Sequence, residues 1–227
     1  MNERECGFIS RFSFSDKTIK MKNISRRTIA IIVVTLVILI DQISKIWVKT
    51  SMMLGDSIEI TSWFKIYFIE NPGMAFGLEI GGKLFLTLFR IVAVGFIGYY
   101  LTQLIKKKYP KGFIACIALI LAGAFGNIVD CVLYGEIFSS SYGQVAEFVS
   151  LGEGYADWMH GKVVDMLYFP LIESNFPSWF PFVGGDHFIF FSPVFNIADS
   201  AITVGIFILV LFYHKILSQS FEKEEIK

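Results

Sequence analysis

Residues 28–48 read TIAIIVVTLVILIDQISKIWV. That is about the twenty residues an α-helix needs to cross a ~30 Å hydrocarbon layer. The run is interrupted by an acid and a base, Asp41 and Lys45, which are costly at membrane depth and need a reason to be there. Three more apolar runs lie downstream: 84–105 with Arg90, 113–133 with Asn127 and Asp130, and 194–217 with Asn196 and Asp199. The 227-residue chain is 54% hydrophobic and 18% charged, with a mean hydropathy of +0.59. Soluble domains sit near roughly 45–50% apolar and about 25% charged, so both shifts point toward lipid. No folded segment carries a basic surface apart from the membrane signal, which argues against a nucleic-acid partner. The expected fold class is an all-α membrane protein with four transmembrane helices.

Lysines and arginines orient the spans. Arg26 and Arg27 precede the first, Lys17, Lys20 and Lys22 lie upstream, and the second connection carries Lys106, Lys107, Lys108 and Lys111. The long 134–193 segment carries only Lys162. The positive-inside rule therefore places both termini and the 106–111 turn in the cytoplasm. This divides the chain into a disordered cytoplasmic tail (1–27), a four-span domain (28–217) with outer segments 49–83 and 134–193, and a second cytoplasmic tail (218–227). The first span lacks a small-residue cleavage site and follows 27 mostly polar residues, so it is not expected to be a cleaved signal peptide. Ser57–Glu70 (SIEITSWFKIYFIE) is rich in β-branched and aromatic residues, which predicts a strand pair. Trp47, Trp63, Trp158 and Trp179 fall in or beside the outer segments, as interfacial aromatics do. Cys116 and Cys131 sit about 22 Å apart along one helix and cannot pair.

Helix rise converts sequence position into depth. Asp41 falls about 20 Å above the cytoplasmic edge, Asn127 and Asp130 at about 21 and 25 Å, and Asp199 near 22 Å on the same scale. Polar groups from three spans thus collect in one layer. Asn196, Asp199, Ser200 and Thr203 share a helix face, as do Asn127, Asp130 and Tyr134. Asp41 and Lys45 stand i, i+4 in the favourable order for an ion pair, which ties the first helix to the layer. Asp130 and Asp199 have no in-register basic partner, so a salt bridge explains them less well. A further carboxylate, Asp165, sits in an apolar run (VVDML) of the outer segment that would dip toward the membrane, where it could meet Asp199.

Two carboxylates held close share one proton. One then acts as base toward a water while the protonated partner polarises an amide carbonyl. Rival sites fit poorly: there is no HExxH, and His160, His187 and His214 lack ligand spacing. Ser44 and Lys45 are helix neighbours pointing about 100° apart. No metal or other cofactor is expected. The small residues Gly123 and Gly126 suit close helix packing. Two other classes stay open from the residues alone: a proton- or ion-coupled carrier, and a non-catalytic membrane subunit.

Five motifs resemble the lipoprotein signal peptidases (type II signal peptidases): DQISK at 41–45, NPGMAFG at 71–77, GNIVD at 126–130, VVD at 163–165 and FNIAD at 195–199. The resemblance covers about residues 28–217. It implies four transmembrane helices, an extracytoplasmic β-cradle and a short periplasmic helix over a site near the outer face of the bacterial inner membrane. It also implies removal of signal peptides from prolipoproteins just before a diacylglyceryl-cysteine, in contact with membrane lipid, and blockage by globomycin-type inhibitors. By motif, Asp165 and Asp199 resemble the catalytic dyad, and Asn71, Asn127 and Asn196 resemble site-lining residues. Asp41, Lys45 and Asp130 resemble supporting polar positions. Two departures stand out. Cys131 occupies a position where the family usually has an arginine thought to contact substrate carbonyls, and 134–162 is longer than the usual link. Arg90, about 9 Å below the outer edge of its span, is expected either to face the cavity and supply that missing donor fork or to snorkel to lipid headgroups.

Overall fold

A computed structural model describes residues 24–72, 82–170, 172–175, 177–179, 181, 185, 187–190 and 193–225. Helix α1 (Arg26–Ser51) begins where the Ser25 side chain accepts the Thr28 N–H and ends at extended Met52. Strands β1 (Ser57–Thr61) and β2 (Phe64–Asn71) follow as the expected antiparallel pair. Helices α2 (Gly82–Lys106) and α3 (Lys111–Val129) come next. Helix α3 runs on through a π-turn (Asp130–Tyr134) into the short α4 (Gly135–Ile137). Strands β3 (Val163–Tyr168), β4 (Ile172–Asn175), β5 (His187–Phe190) and β6 (Val194–Phe195) lead into α5 (Ile197–Phe212) and α6 (His214–Glu225). The main sheet is antiparallel in the order β1-β2-β3-β6, and β4 pairs with β5 apart from it.

Three helices among the described residues are long and apolar enough to cross a membrane by themselves. A fourth span is available only as a bent pair: α5 and the first part of α6 are long and apolar enough together, with a bend between them. Val194–Phe195 are strand, and the helix that begins after Asn196 stops at Phe212, where α6 turns away by 92°. His214, Lys215 and the acids at 222, 224 and 225 make α6 more polar than α5 along its length. Residues 218–225 are accordingly helix, where a tail was expected. The short helix expected over the site is not found among the described residues; most of the NPGMAFG motif, residues 73–77, and the tail at 1–23 lie outside them.

Helix α3 is the central post against which α1, α2 and α5 pack, and among the described residues α2 and α5 meet at most marginally. Close approach of α3 to its neighbours depends on glycine. A Cβ on Gly123 would strike the Ala198 carbonyl of α5, and one on Gly126 would sit 2.7 Å from the Asp41 carboxylate of α1. The outer faces are apolar and open, with Ile43 65%, Phe96 70% and Phe207 63% exposed, an arrangement suited to lipid rather than water. Arg26 donates to the Tyr109 carbonyl (2.7 Å) and Tyr100 shares a hydrogen bond with Ser220 (2.5 Å). The start of α1, the α2–α3 turn and α6 thus meet at one end of the bundle, and the sheet stands at the other.

The long 134–162 segment is built into the sheet end. Phe138 bridges to Phe148 and Met53 to Val145. Beneath them the fully buried Lys49 ammonium of α1 lies 2.6 Å from Glu70 of β2 and donates to the Ser141 hydroxyl (2.9 Å). Glu70 also meets Lys162 (3.1 Å). Burial would raise the Glu70 pKa, but the Lys49 charge and the bonds from Lys49 and Ser141 outweigh it and hold the carboxyl below its ordinary value. One acid therefore joins α1, β2, the long segment and the entry to β3.

Candidate active site

Strand register sets the first carboxylate. Ile69 pairs with Asp165 and Asn71 with Val163, which leaves Asp165 2% exposed on β3. Asn71 donates to one of its oxygens (3.3 Å) and Asn196 to the other (2.7 Å). Asn196 is the N-cap of α5, as its extended backbone and short polar side chain suit it to be, and its Oδ1 accepts the Asp199 N–H at 2.9 Å. The cap thereby fixes where Asp199 stands in the first helical turn. Asn127 of α3 donates to Asp199 Oδ1 (2.8 Å) and accepts from Asn196 (3.1 Å) and from Lys45 (2.9 Å).

Burial pushes the Asp165 carboxyl up to about 7, and the Asp199 charge facing it pushes in the same direction. Hydrogen bonds from Asn71 and Asn196 pull the other way and are outweighed. A carboxyl with that value holds its proton below neutrality and is about half protonated near pH 7, while Asp199 is half-buried. The pair has the makings of a general acid and a general base side by side.

Below the pair lies an ion cluster that amends one expectation. Lys45 pairs with Asp41 (2.9 Å), as its spacing predicts, but equally with Asp130 (2.9 Å), and all three side chains are fully buried. Asp130 therefore does have a basic partner, supplied by another helix and so invisible to spacing within its own. The same Asp130 oxygen also accepts the Val164 N–H (3.2 Å), which ties the end of α3 to β3 beside Asp165. Asp41 accepts the Ala198 N–H (2.9 Å) at the positive end of α5. Sequence reasoning left out Gln42, which donates to Asp41, Asp130 and the Gly126 carbonyl and accepts from the Tyr134 hydroxyl. Its place between Asp41 and Lys45 was the available signal.

Arg90 turns inward. Its Nη1 lies 3.3 Å from the Cys131 sulfur, with Cys131 2% exposed. Cys131 thus seats the Arg90 guanidinium. Among the described residues, no group of three or more His, Cys, Asp or Glu side chains is arranged to hold a metal ion.

Comparison with known proteins gives this geometry its context. Residues 33–215 match the family model described as signal peptidase (SPase) II. The chain belongs to the signal peptidase II family. It is 54% identical to a lipoprotein signal peptidase of Porphyromonas gingivalis over 82% of each chain. It is also 36% identical to one of Amoebophilus asiaticus, over 84% of this chain and 79% of that one. Among solved structures it is similar to a bacterial membrane enzyme determined by the in meso method at 2.3 Å resolution. That match has 26% identity and a TM-score of 0.55 over 84% of this chain and 90% of that one. Signal peptidase II membership, with helices fit to cross a membrane, makes this a bacterial membrane peptidase.

Proposed function

We propose that the chain is an aspartyl endopeptidase that removes signal peptides from diacylglyceryl-modified prolipoproteins, with Asp165 and Asp199 as the catalytic dyad. The observation that carries this reading is the pair itself, two carboxylates from a strand and the first turn of a helix, one with its proton affinity raised by burial, linked through Asn71, Asn127 and Asn196. Asp199 takes a proton from a water whose oxygen attacks the scissile carbonyl, and Asp165 gives its proton to the carbonyl oxygen. The resulting gem-diol collapses as Asp199 passes its proton to the leaving nitrogen and Asp165 regains one from a diol hydroxyl. The products are a signal-peptide carboxylate and the free amine of the lipidated cysteine. The open side between α2 and α5 would admit an apolar signal helix directly from lipid. On this reading both termini are cytoplasmic, the sheet lies outside and a globomycin-type inhibitor would occupy the dyad. The purified protein is expected to cleave a peptide carrying a diacylglyceryl-cysteine and to leave the unmodified peptide intact. Equal cleavage of both would contradict the substrate assignment.

In the same reading Arg90, seated on Cys131, supplies the donor fork to substrate carbonyls that relatives draw from position 131. A planar guanidinium can bridge two carbonyls where a lysine ammonium acts as a point charge. Arg90→Lys should therefore reduce kcat/KM by about tenfold or more, the scale of one bond to a charged donor. Unchanged cleavage by Arg90→Lys, together with failure of Cys131→Arg to restore an impaired Arg90→Ala, would remove Arg90 from substrate binding.

A further inference from the structure

The first half of α2 is attached to the protein at few points. Along the whole helix only Thr87, Leu101 and Leu104 are buried, and both leucines lie toward the α2–α3 turn. The neighbours of Thr87 on the chain, Phe85, Leu88 and Phe89, are exposed. A buried hydroxyl in so apolar a stretch needs a polar partner. Thr87 Oγ1 lies 3.0 Å from the Lys83 carbonyl of its own helix and 3.1 Å from the Met159 carbonyl. The first is the bond a helical threonine commonly makes to its own backbone. The second reaches 72 residues along the chain and ties α2 to the long 134–162 segment.

Met159 is itself held firmly, because residues 154–161 lie along the π-turn that ends α3. The Met159 N–H donates to the Val132 carbonyl (3.1 Å), that of Gly161 to Cys131 (2.9 Å) and that of Ala156 to Gly135 (3.0 Å). A π-turn and a helix end leave carbonyls without intrahelical donors, and these N–H groups satisfy them. Glycine permits the close approach: a Cβ on Gly161 would strike the Asp130 carbonyl, and one on Gly154 the Gly135 carbonyl. At Met159 the backbone has φ of 67°, a left-handed conformation that costs a residue with a side chain. The carbonyl of this residue is the one Thr87 meets. Three residues beyond Thr87, on the same helix face, Arg90 rests on Cys131. The bonds Thr87–Met159, Met159–Val132 and Arg90–Cys131 thus form one ring of contacts from α2 to the π-turn.

We propose that Thr87 is a positioning residue for Arg90. By bonding to Met159 it fixes the first half of α2 on the 154–161 stretch, and so sets where the guanidinium meets substrate carbonyls. This rests on the donor role of Arg90 given above and gives the long segment a part in it. The test measures cleavage of a lipidated peptide by the full-length protein in detergent. Thr87→Val keeps the shape but loses the hydroxyl, and should lower kcat/KM about fivefold, the scale of one buried hydrogen bond. Thr87→Ser should cleave as the wild type does. The acceptor side gives an independent pair of variants. Met159→Gly suits positive φ and should keep activity, whereas β-branched Met159→Val disfavours it and should lose about as much as Thr87→Val. Because the effect passes through Arg90, adding Thr87→Val to Arg90→Lys should change kcat/KM by less than about twofold. Normal cleavage by Thr87→Val, failure of Thr87→Ser to retain activity, or a full fivefold loss on top of Arg90→Lys overturns the proposal. If Thr87→Val does not fold, the Met159 pair decides, and equal activity of its two variants overturns it. If Arg90→Lys itself cleaves normally, the donor reading fails first and takes the positioning role with it.

Discussion

Replacing Asp165 or Asp199 with Asn is expected to reduce cleavage of a lipidated peptide by at least about a thousandfold while leaving the protein folded. Asn keeps the shape and can still meet the neighbouring amides, but it neither takes a proton from water nor gives one to a carbonyl. The double variant should be little worse than either single one, because the two acids work as a unit. Misfolding is separable from lost chemistry by sign. The folded Asp165 carboxyl is raised to about 7. The stability linked to its proton is therefore intact below the ordinary carboxylate range and is lost as pH rises from there through about 7. Asp165→Asn has no such loss. Above neutral pH its thermal midpoint in detergent should match or exceed that of the wild type. Substantial turnover by either single variant would exclude that residue from the mechanism.

Lys45→Met is expected to give the largest loss of stability of any single change at the site. The ammonium is fully buried, 2.9 Å from each of Asp41 and Asp130. Removing it strands two carboxylates without solvent, and breaking a buried ion pair in this way costs about 3–5 kcal/mol. The damage should reach the dyad, because Lys45 also donates to Asn127, which holds Asp199. Adding Asp130→Asn should recover part of the loss, since it removes one of the uncompensated charges. A thermal midpoint unchanged by Lys45→Met would mean that the cluster contributes nothing to the fold.

The polar layer was legible in the sequence because helix rise turns position into depth. Asp41, Asn127, Asn196 and Asp199 do converge, and β1 and β2 appear where β-branched and aromatic residues predicted them. Spacing along one helix cannot reveal a partner on another, so the Lys45–Asp130 pair was missed. Lys49 has the look of a helix-end charge and Glu70 that of a strand's solvent-facing residue. Only the packing of residues 134–162 over both shows them to be a buried pair. Hydropathy summed over 194–217 ran across the Asn196 cap and the bend after Phe212, because a window average registers neither. Asp165 was the hardest position to read, since its burial arises from pairing with β2 and from Asn196, 31 residues further along the chain.

The dependence of kcat/KM on pH tests most directly whether the two aspartates share the catalytic proton. With a lipidated peptide, the wild type should show a bell-shaped profile. Its alkaline limb should fall near pH 7, where the pair loses the proton held at Asp165, and its acid limb should lie lower, where the pair takes up a second proton. A profile that stays flat, or continues to rise, from mildly acidic through distinctly alkaline pH would contradict a mechanism in which a protonated Asp165 supplies the acid.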